Sequence, residues 1–197
     1  MHNSTRIEQD IEAKIAAEYL DLAAILDGGP ESWWDAPSLC AGWRTREVVA
    51  HLTMPLRYPP ERFMAELSKA NGDFNSMADR IARQDAEALT PAQLVTGLRD
   101  PQLHAWQPPG GGQLGALTHV VIHGLDITVA LGLDRRVTKD RLRTVLDVAS
   151  SLESLRANIA GVQLRATDMD WSCGEGAPVS DQAQRLVLML FGRRLPS

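Results

Sequence analysis

Two histidines four residues apart, His119 and His123, lie in an otherwise apolar stretch of this 197-residue chain. Residues i and i+4 of a helix project from one face, so both imidazoles would point in the same direction as Asp126. Imidazole is the commonest protein ligand for zinc and its neighbours in the transition series. The spacing predicts part of a metal site or, alternatively, the polar face of an amphipathic helix that binds no metal. Apolar residues are expected on the opposite face: Leu114, Leu117, Val121 and Leu125.

A third ligand would have to come from another part of the chain, and His51 is the best candidate. A histidine in an apolar segment is, by itself, more often a hydrogen-bonded core residue. We nevertheless predict that His51, His119 and His123 are metal ligands, because two apolar helices would turn histidine towards one point. Three protein ligands and an open position are typical of a catalytic site. Neutral nitrogen ligands favour Zn²⁺, with Ni²⁺ or Co²⁺ as alternatives.

Carboxylates lie one turn from two of these histidines. We expect Glu47 and Asp126 to orient imidazoles through hydrogen bonds, with a surface carboxylate as the alternative for each. Neither Cys40 nor Cys173 adjoins a histidine in the sequence, so both are expected to be buried structural thiols.

Composition excludes several classes of protein. The net charge is −5 and no cluster of Lys and Arg is present, which argues against general nucleic-acid binding. No apolar run is long enough for a membrane span, and the first ten residues lack the apolar core of a secretion signal. We therefore expect a cytoplasmic protein that is a monomer or a homodimer. Its expected partner is a small-molecule substrate, with no nucleic acid and no membrane.

Helical periodicity dominates the first 157 residues. Helices are predicted over residues 5–27 and 72–88, after Thr90 and after Thr138. Another is predicted from Thr45 through His51, until prolines interrupt this helix, and one more from the glycine-rich loop to about Gly132. Alternation from Val162 to Ala166 then indicates a strand, followed by a second strand or hairpin and a final helix. The fold class is predicted to be mainly α, with a helical domain over residues 1–157 and a small α/β extension over 158–197.

The loop before the His119 helix is rich in proline and glycine. It is either a flexible connector or a turn whose backbone N–H groups bind an anion at the helix N-terminus. On the second interpretation, Gly111 and Gly112 bind a carboxylate of a substrate or of a thiol cofactor.

Three segments resemble the mycothiol-dependent maleylpyruvate isomerases, a branch of the DinB-like metalloenzymes. They are residues 36–52, residues 119–126, and residues 166–171 together with Gly192 and Arg193. The resemblance implies a DinB-like four-helix bundle, a divalent metal that is usually zinc, and use of the thiol mycothiol. This chain has His119 where the isomerase has a glutamate ligand, and three histidines are the pattern of the wider DinB-like group.

The resemblance implies that a metal activates a low-molecular-weight thiol for attack on a small electrophile, giving isomerisation or S-transfer. Asn75 and Arg80 lie on the predicted third helix, and we predict contacts of Arg80 with a substrate carboxylate and of Asn75 with the cofactor. A solvated helix face is the alternative for Arg80. Three other functions remain open: a metal-dependent hydrolase, a non-catalytic metal-binding bundle, and a purely structural bundle whose histidines never meet.

Overall fold

Helices make up most of the molecule. The computed structural model describes residues 2–195, and for residues 2–7 the backbone alone. The helices of this part of the chain are α1 His2–Asp27, α2 Thr45–Leu52, α3 Pro60–Lys69, α4 Phe74–Ala88, α5 Pro91–Leu98, α6 Pro101–Ala105, α7 Gly112–Thr128, α8 Lys139–Ser151, α9 Glu153–Arg156 and α10 Ala183–Leu190. Short 3₁₀ helices lie at Glu31–Asp35, Met54–Leu56 and Ala157–Ile159.

A small sheet lies between α9 and α10. Its strands are β1 Val162–Ala166, β2 Ser172–Gly174 and β3 Ala177–Asp181, in the order β2-β1-β3. Strand β1 is antiparallel to β2 and parallel to β3. The predicted fold class, mainly helical with a small C-terminal α/β extension, is confirmed.

Prolines interrupt the chain after His51, as the sequence predicts. Helix α2 ends at Leu52, Pro55 lies in a 3₁₀ turn, and Pro60 is the first residue of α3. Proline suits that position because the first turn of a helix needs no N–H partner there. Helices α3, α6 and α9 are not predicted from the sequence, which leaves open whether a third strand follows β2. Strand β3 contains Pro178, which is tolerated because β3 is an edge strand.

Helix α7 packs against α1, α2, α8 and α10. Leu117, Val121 and Leu125 are fully buried on its core face, as expected. Leu114 was expected with them, and this is wrong, because its side chain is 41% exposed. It lies in the first turn of α7, before the helix enters the core.

The apolar core continues from the helical part of the chain into the C-terminal extension. Ile15 and Leu22 of α1 belong to the same buried cluster as Leu164 of β1 and Leu186 of α10. A domain boundary at residue 157 stays a prediction. The residues after it pack on the same apolar core as the helices before it.

Candidate metal centre

Three histidine rings meet where α2 faces α7. Nε2 of His119 lies 3.1 Å from Nε2 of His51. One ligand nitrogen from each of His51, His119 and His123 lies within 4.8 Å of the others. The ring centroids are 4.8 to 5.0 Å apart and the rings are edge-on to one another. The histidines therefore meet, contrary to the purely structural alternative.

The arrangement fits a divalent metal better than a hydrogen-bonded core pair. Zinc–nitrogen bonds and tetrahedral angles give a separation of about 3.3 Å between ligand nitrogens, close to that of His51 and His119. A single N–H···N bond would satisfy those two Nε2 atoms but would leave His123 without a reason to join them. Nδ1 of His51 and Nδ1 of His119 are buried and have no partner among the described residues. The Nε2 atoms thus carry the only close polar contacts of these two rings.

Burial keeps the imidazoles of His51 and His119 neutral. Loss of solvation, with a smaller contribution from the charge of His123, lowers the pKa of His51 to about 3. The same two causes, with His51 added, lower the pKa of His119 well below its usual value. Because metal ligands must be deprotonated, a metal ion would meet no competition from protons at these two nitrogens near neutral pH.

Asp126 lies one turn after His123 and is fully buried. Its Oδ2 is 3.1 Å from Nδ1 of His123, which is the contact expected from the sequence. Arg193 donates to both carboxylate oxygens, from Nε at 2.8 Å and from Nη2 at 2.9 Å. Burial would raise the pKa of Asp126, but hydrogen bonds from His123 and Arg193 outweigh it and hold the pKa at about 2. A carboxylate in this position fixes the orientation of the His123 ring and directs Nε2 away from it.

Cys40 is the site-adjacent residue that sequence reasoning missed. Its thiol donates to Oδ2 of Asp126 at 2.9 Å and its sulfur is 3.6 Å from Nδ1 of His123. Burial and the charge of Asp126 raise the pKa of this thiol, so it is protonated at neutral pH. Cys40 and Asp126 are 86 residues apart, and no local pattern could have paired them. The one available signal was the position of Cys40 and Arg193 within the segments that carry the family resemblance.

Glu47 does not orient His51. It accepts hydrogen bonds from the backbone N–H of Arg44 at 2.7 Å and from Nε of Arg44 at 3.1 Å. The expected role is therefore wrong, and so is the surface alternative, because Glu47 is 1% exposed. The reason is that α2 begins one residue earlier than expected, with Arg44 rather than Thr45 as its N-cap. Glu47 then occupies the position that closes the first turn.

A cavity of about 750 Å³ adjoins the three histidines. All three line it, together with Trp106, whose ring is 5.8 Å from that of His119. Gly111 also lines it, and Gly112 is the adjacent first residue of α7. The predicted glycine loop is thus at the cavity, although its binding of an anion stays a prediction.

Asn75 and Arg80 are not brought to the histidines. Both side chains are exposed on α4, and neither lines the cavity. Arg80 forms an ion pair with Glu66 at 2.7 Å. The neighbouring Phe74 lines the cavity instead, one position before Asn75 on the first turn of α4.

Two solved structures have a similar fold. A crystal structure of the mycothiol-dependent maleylpyruvate isomerase matches with a TM-score of 0.50 and 15% sequence identity, over 96% of this chain and 89% of the other. The chain has the fold of that isomerase. A mutant of the maleylpyruvate isomerase also matches, with a TM-score of 0.48 and 14% identity. The expected DinB-like fold is consistent with the first match, and at 15% identity the likeness to the isomerase concerns the fold alone.

No family model matches the chain, and no curated protein matches it. Within the described residues, no helix combines the length and the apolar character needed to cross a membrane.

Proposed function

We propose that this protein is a divalent-metal-dependent enzyme that activates a low-molecular-weight thiol, mycothiol, for attack on a small electrophile. The outcome is isomerisation or S-transfer. The observation that carries the proposal is the convergence of three histidines at a cavity large enough for a substrate and part of a thiol. A non-catalytic metal-binding bundle would need no such cavity beside its ligands.

In this proposal His51, His119 and His123 hold the metal, and zinc suits three imidazoles best. A bound divalent ion lowers the pKa of a thiol in its open position and so supplies a thiolate nucleophile at neutral pH. The protein keeps the His123 ring in one orientation through Asp126, and Arg193 keeps Asp126 ionised. The apolar walls exclude water that would compete with the thiol.

Two further residues have defined places in the proposal. The predicted binding of a cofactor carboxylate at Gly111 and Gly112 belongs to the proposal, and the contact would fall to Gly112, because the N–H of Gly111 donates to the carbonyl of Pro108 at 3.0 Å. Cys40 is not the nucleophile, because its thiol is protonated and hydrogen-bonded to Asp126 and its side chain does not line the cavity. Asn75 and Arg80 are outside the proposal, since their side chains are exposed on α4.

The test is metal content followed by cobalt spectroscopy. Protein purified without added metal or chelator should contain about one divalent ion per chain, as three protein ligands at one site require. In the Co²⁺ form, addition of mycothiol should produce a thiolate-to-cobalt charge-transfer band. His51→Ala should lose both signals. His104→Ala is the matched control, because His104 is half-buried on α6 and bonded to the carbonyl of Leu98, away from the cluster.

Negligible metal with no binding on titration would refute the proposal. Metal without a thiolate band, together with turnover that needs no thiol, would favour the metal-dependent hydrolase instead.

A further inference from the structure

Away from the three histidines that would hold the proposed metal, the wall of the cavity, in the part of the chain that the structure describes, carries no charged side chain. Among the described residues that line it there is no lysine, arginine, aspartate or glutamate. Arg193 is near the cluster, but it is paired with both oxygens of Asp126 and does not line the cavity. Most of the wall is apolar and comes from six segments of the chain, through Met54, Phe63, Phe74, Leu114, Leu152 and Phe191.

The two hydroxyl groups of the wall are already engaged as donors. Oγ1 of Thr118 donates to the carbonyl of Leu114 at 2.8 Å, and Oγ of Ser151 donates to the carbonyl of Val148 at 2.7 Å. A hydroxyl has one proton, so each can only accept a further hydrogen bond. Neither can donate to a carboxylate, and outside the histidines the indole N–H of Trp106 is the one side-chain donor left among the described residues of the wall.

The N-terminus of α7 is too far from the histidines to change this conclusion. Gly112 and His119 are seven residues apart, or about 10 Å along the helix axis. The favourable field of a helix N-terminus falls off within its first turn. An anionic group of a thiol cofactor can lie there, but a carboxylate next to a carbon that reacts at the histidines cannot reach it.

Exposed apolar side chains are concentrated at the cavity. Phe74, Leu114 and Leu152 are 46%, 41% and 47% exposed, and all three line it. Large apolar side chains left in contact with water around a concave site indicate a ligand that buries apolar surface. The lack of charged side chains, the engaged hydroxyl groups and the exposed apolar side chains of the wall therefore all favour an apolar ligand.

We infer that this cavity takes a small, uncharged and largely apolar substrate, such as an unsaturated ester, an unsaturated ketone or an epoxide, and not a dicarboxylate. That the substrate is an electrophile rests on the proposed function; that it is uncharged and apolar rests on the cavity alone. Even if the proposed metal bound one carboxylate of a substrate, a second carboxylate would enter these walls unpaired, which is strongly unfavourable. Maleylpyruvate, for which the enzyme of similar fold is named, carries two carboxylates and is outside this class.

The experiment compares two ligands that differ in charge but share a skeleton. Dimethyl phthalate and phthalate each place two carboxyl groups in cis, and neither alkylates thiols under mild conditions. Equilibrium dialysis against the protein as purified should give at least tenfold tighter binding of the diester. Equal or tighter binding of phthalate, or no binding of either, would overturn the inference.

A charge placed at the cavity should reverse this preference. In Leu152→Arg, binding of the diester should fall several-fold and binding of phthalate should rise. Leu20→Arg is the matched control, because Leu20 is 46% exposed on α1 and does not line the cavity. It should behave as the unaltered protein. If Leu152→Arg also left both affinities unchanged, the ligands would not be binding in this cavity and the inference would fail.

Failure of the proposed function would look different. Diester binding that persists in a protein with no metal and no thiolate band would leave the ligand class standing and remove the chemistry. A normal thiolate band with thiol-dependent turnover of maleate but not of diethyl maleate would support the chemistry and overturn the ligand class.

Discussion

Two buried carboxylates, Glu18 on α1 and Asp126 on α7, are alike in most respects. Each side chain is fully buried, and each is paired with arginine at short range. Glu18 accepts from Arg135 and from Arg141, both at 2.6 Å. Asp126 accepts two hydrogen bonds from Arg193. Neither burial nor ion pairing distinguishes them.

They differ in what else they contact. The other polar partners of Asp126 are an imidazole and a thiol, and the His123 ring extends from that contact to the wall of the cavity. Glu18 instead contacts the guanidinium groups of Arg135 and Arg141, which hold α1 to the segment around α8. A buried ion pair by itself therefore reports how helices are joined. It marks a functional site only when it is connected to a group that a ligand can reach.

Removal of Glu18 should have the largest effect on stability. Glu18→Ala leaves Arg135 and Arg141 without their shared buried partner, and breaking such a pair lowers the free energy of unfolding by about 3–5 kcal/mol. Metal affinity should not change. The measurement is urea denaturation together with metal titration of the folded variant. A stable variant, or one that lost metal while folded, would remove the distinction between the two carboxylates.

Removal of the charge of Asp126 should act on the metal. Asp126→Asn frees the His123 ring and should weaken metal affinity by about 10–100-fold, the usual effect of losing a partner that orients a ligand. Competition with a chelator of known affinity measures this. Asp85→Asn is the matched control, since Asp85 is a buried carboxylate bonded to Arg57 and Tyr58 and away from the cluster. Equal losses in the two variants would contradict the assigned role.

Acid should destabilise the metal-free protein through Asp126. Its pKa is about 2 in the folded protein against 3.8 ordinarily, so the unfolded chain binds the proton more readily. The contribution, about 2 kcal/mol, is complete above the unfolded pKa and is lost as pH falls from about 5 to about 2. Unfolding free energies measured over this range should differ between the unaltered protein and Asp126→Asn by an amount that shrinks with acid. A constant difference would show that the carboxylate is not ionised when buried.

The smallest effect is expected at Arg80. Its ion pair with Glu66 is exposed and contributes little, since solvent and salt screen such pairs. Arg80→Ala should leave the melting temperature, the metal content and the binding of the phthalate diester without measurable change. Loss of ligand binding here would restore the role first expected for this arginine.

The sequence predicted those parts of the site that depend on local pattern. The spacing of His119, His123 and Asp126 within one helix determines which face they share, and an apolar context indicates that the face is buried. The meeting of His51 with that pair was also predicted, because histidine is unusual in two such helices.

Contacts between distant segments could not be predicted in the same way. The partners of Asp126 include Cys40 and Arg193, which are 86 and 67 residues away, and helical periodicity says nothing about which loop covers a helix. The prediction for Glu47 was wrong for a smaller reason, because α2 starts one residue earlier than expected and Glu47 therefore has a different partner. Helix α3 was missed because the prolines that end one helix also begin the next.

The contacts of Asp126 also have a consequence for the order of folding. They join α7 to the Leu39–Cys40 loop, through the N–H of Leu39 to the Asp126 carbonyl, and to Arg193 after α10. Contacts between segments so far apart in the chain form late, because the loops that close them are long. Until Arg193 docks, burial of the Asp126 carboxylate is unfavourable, and α7 lacks the partner that fixes its histidines. The helices can therefore collapse before the three imidazoles are in register. If these histidines bind a metal as proposed, the metal would bind at the end of folding rather than at its beginning.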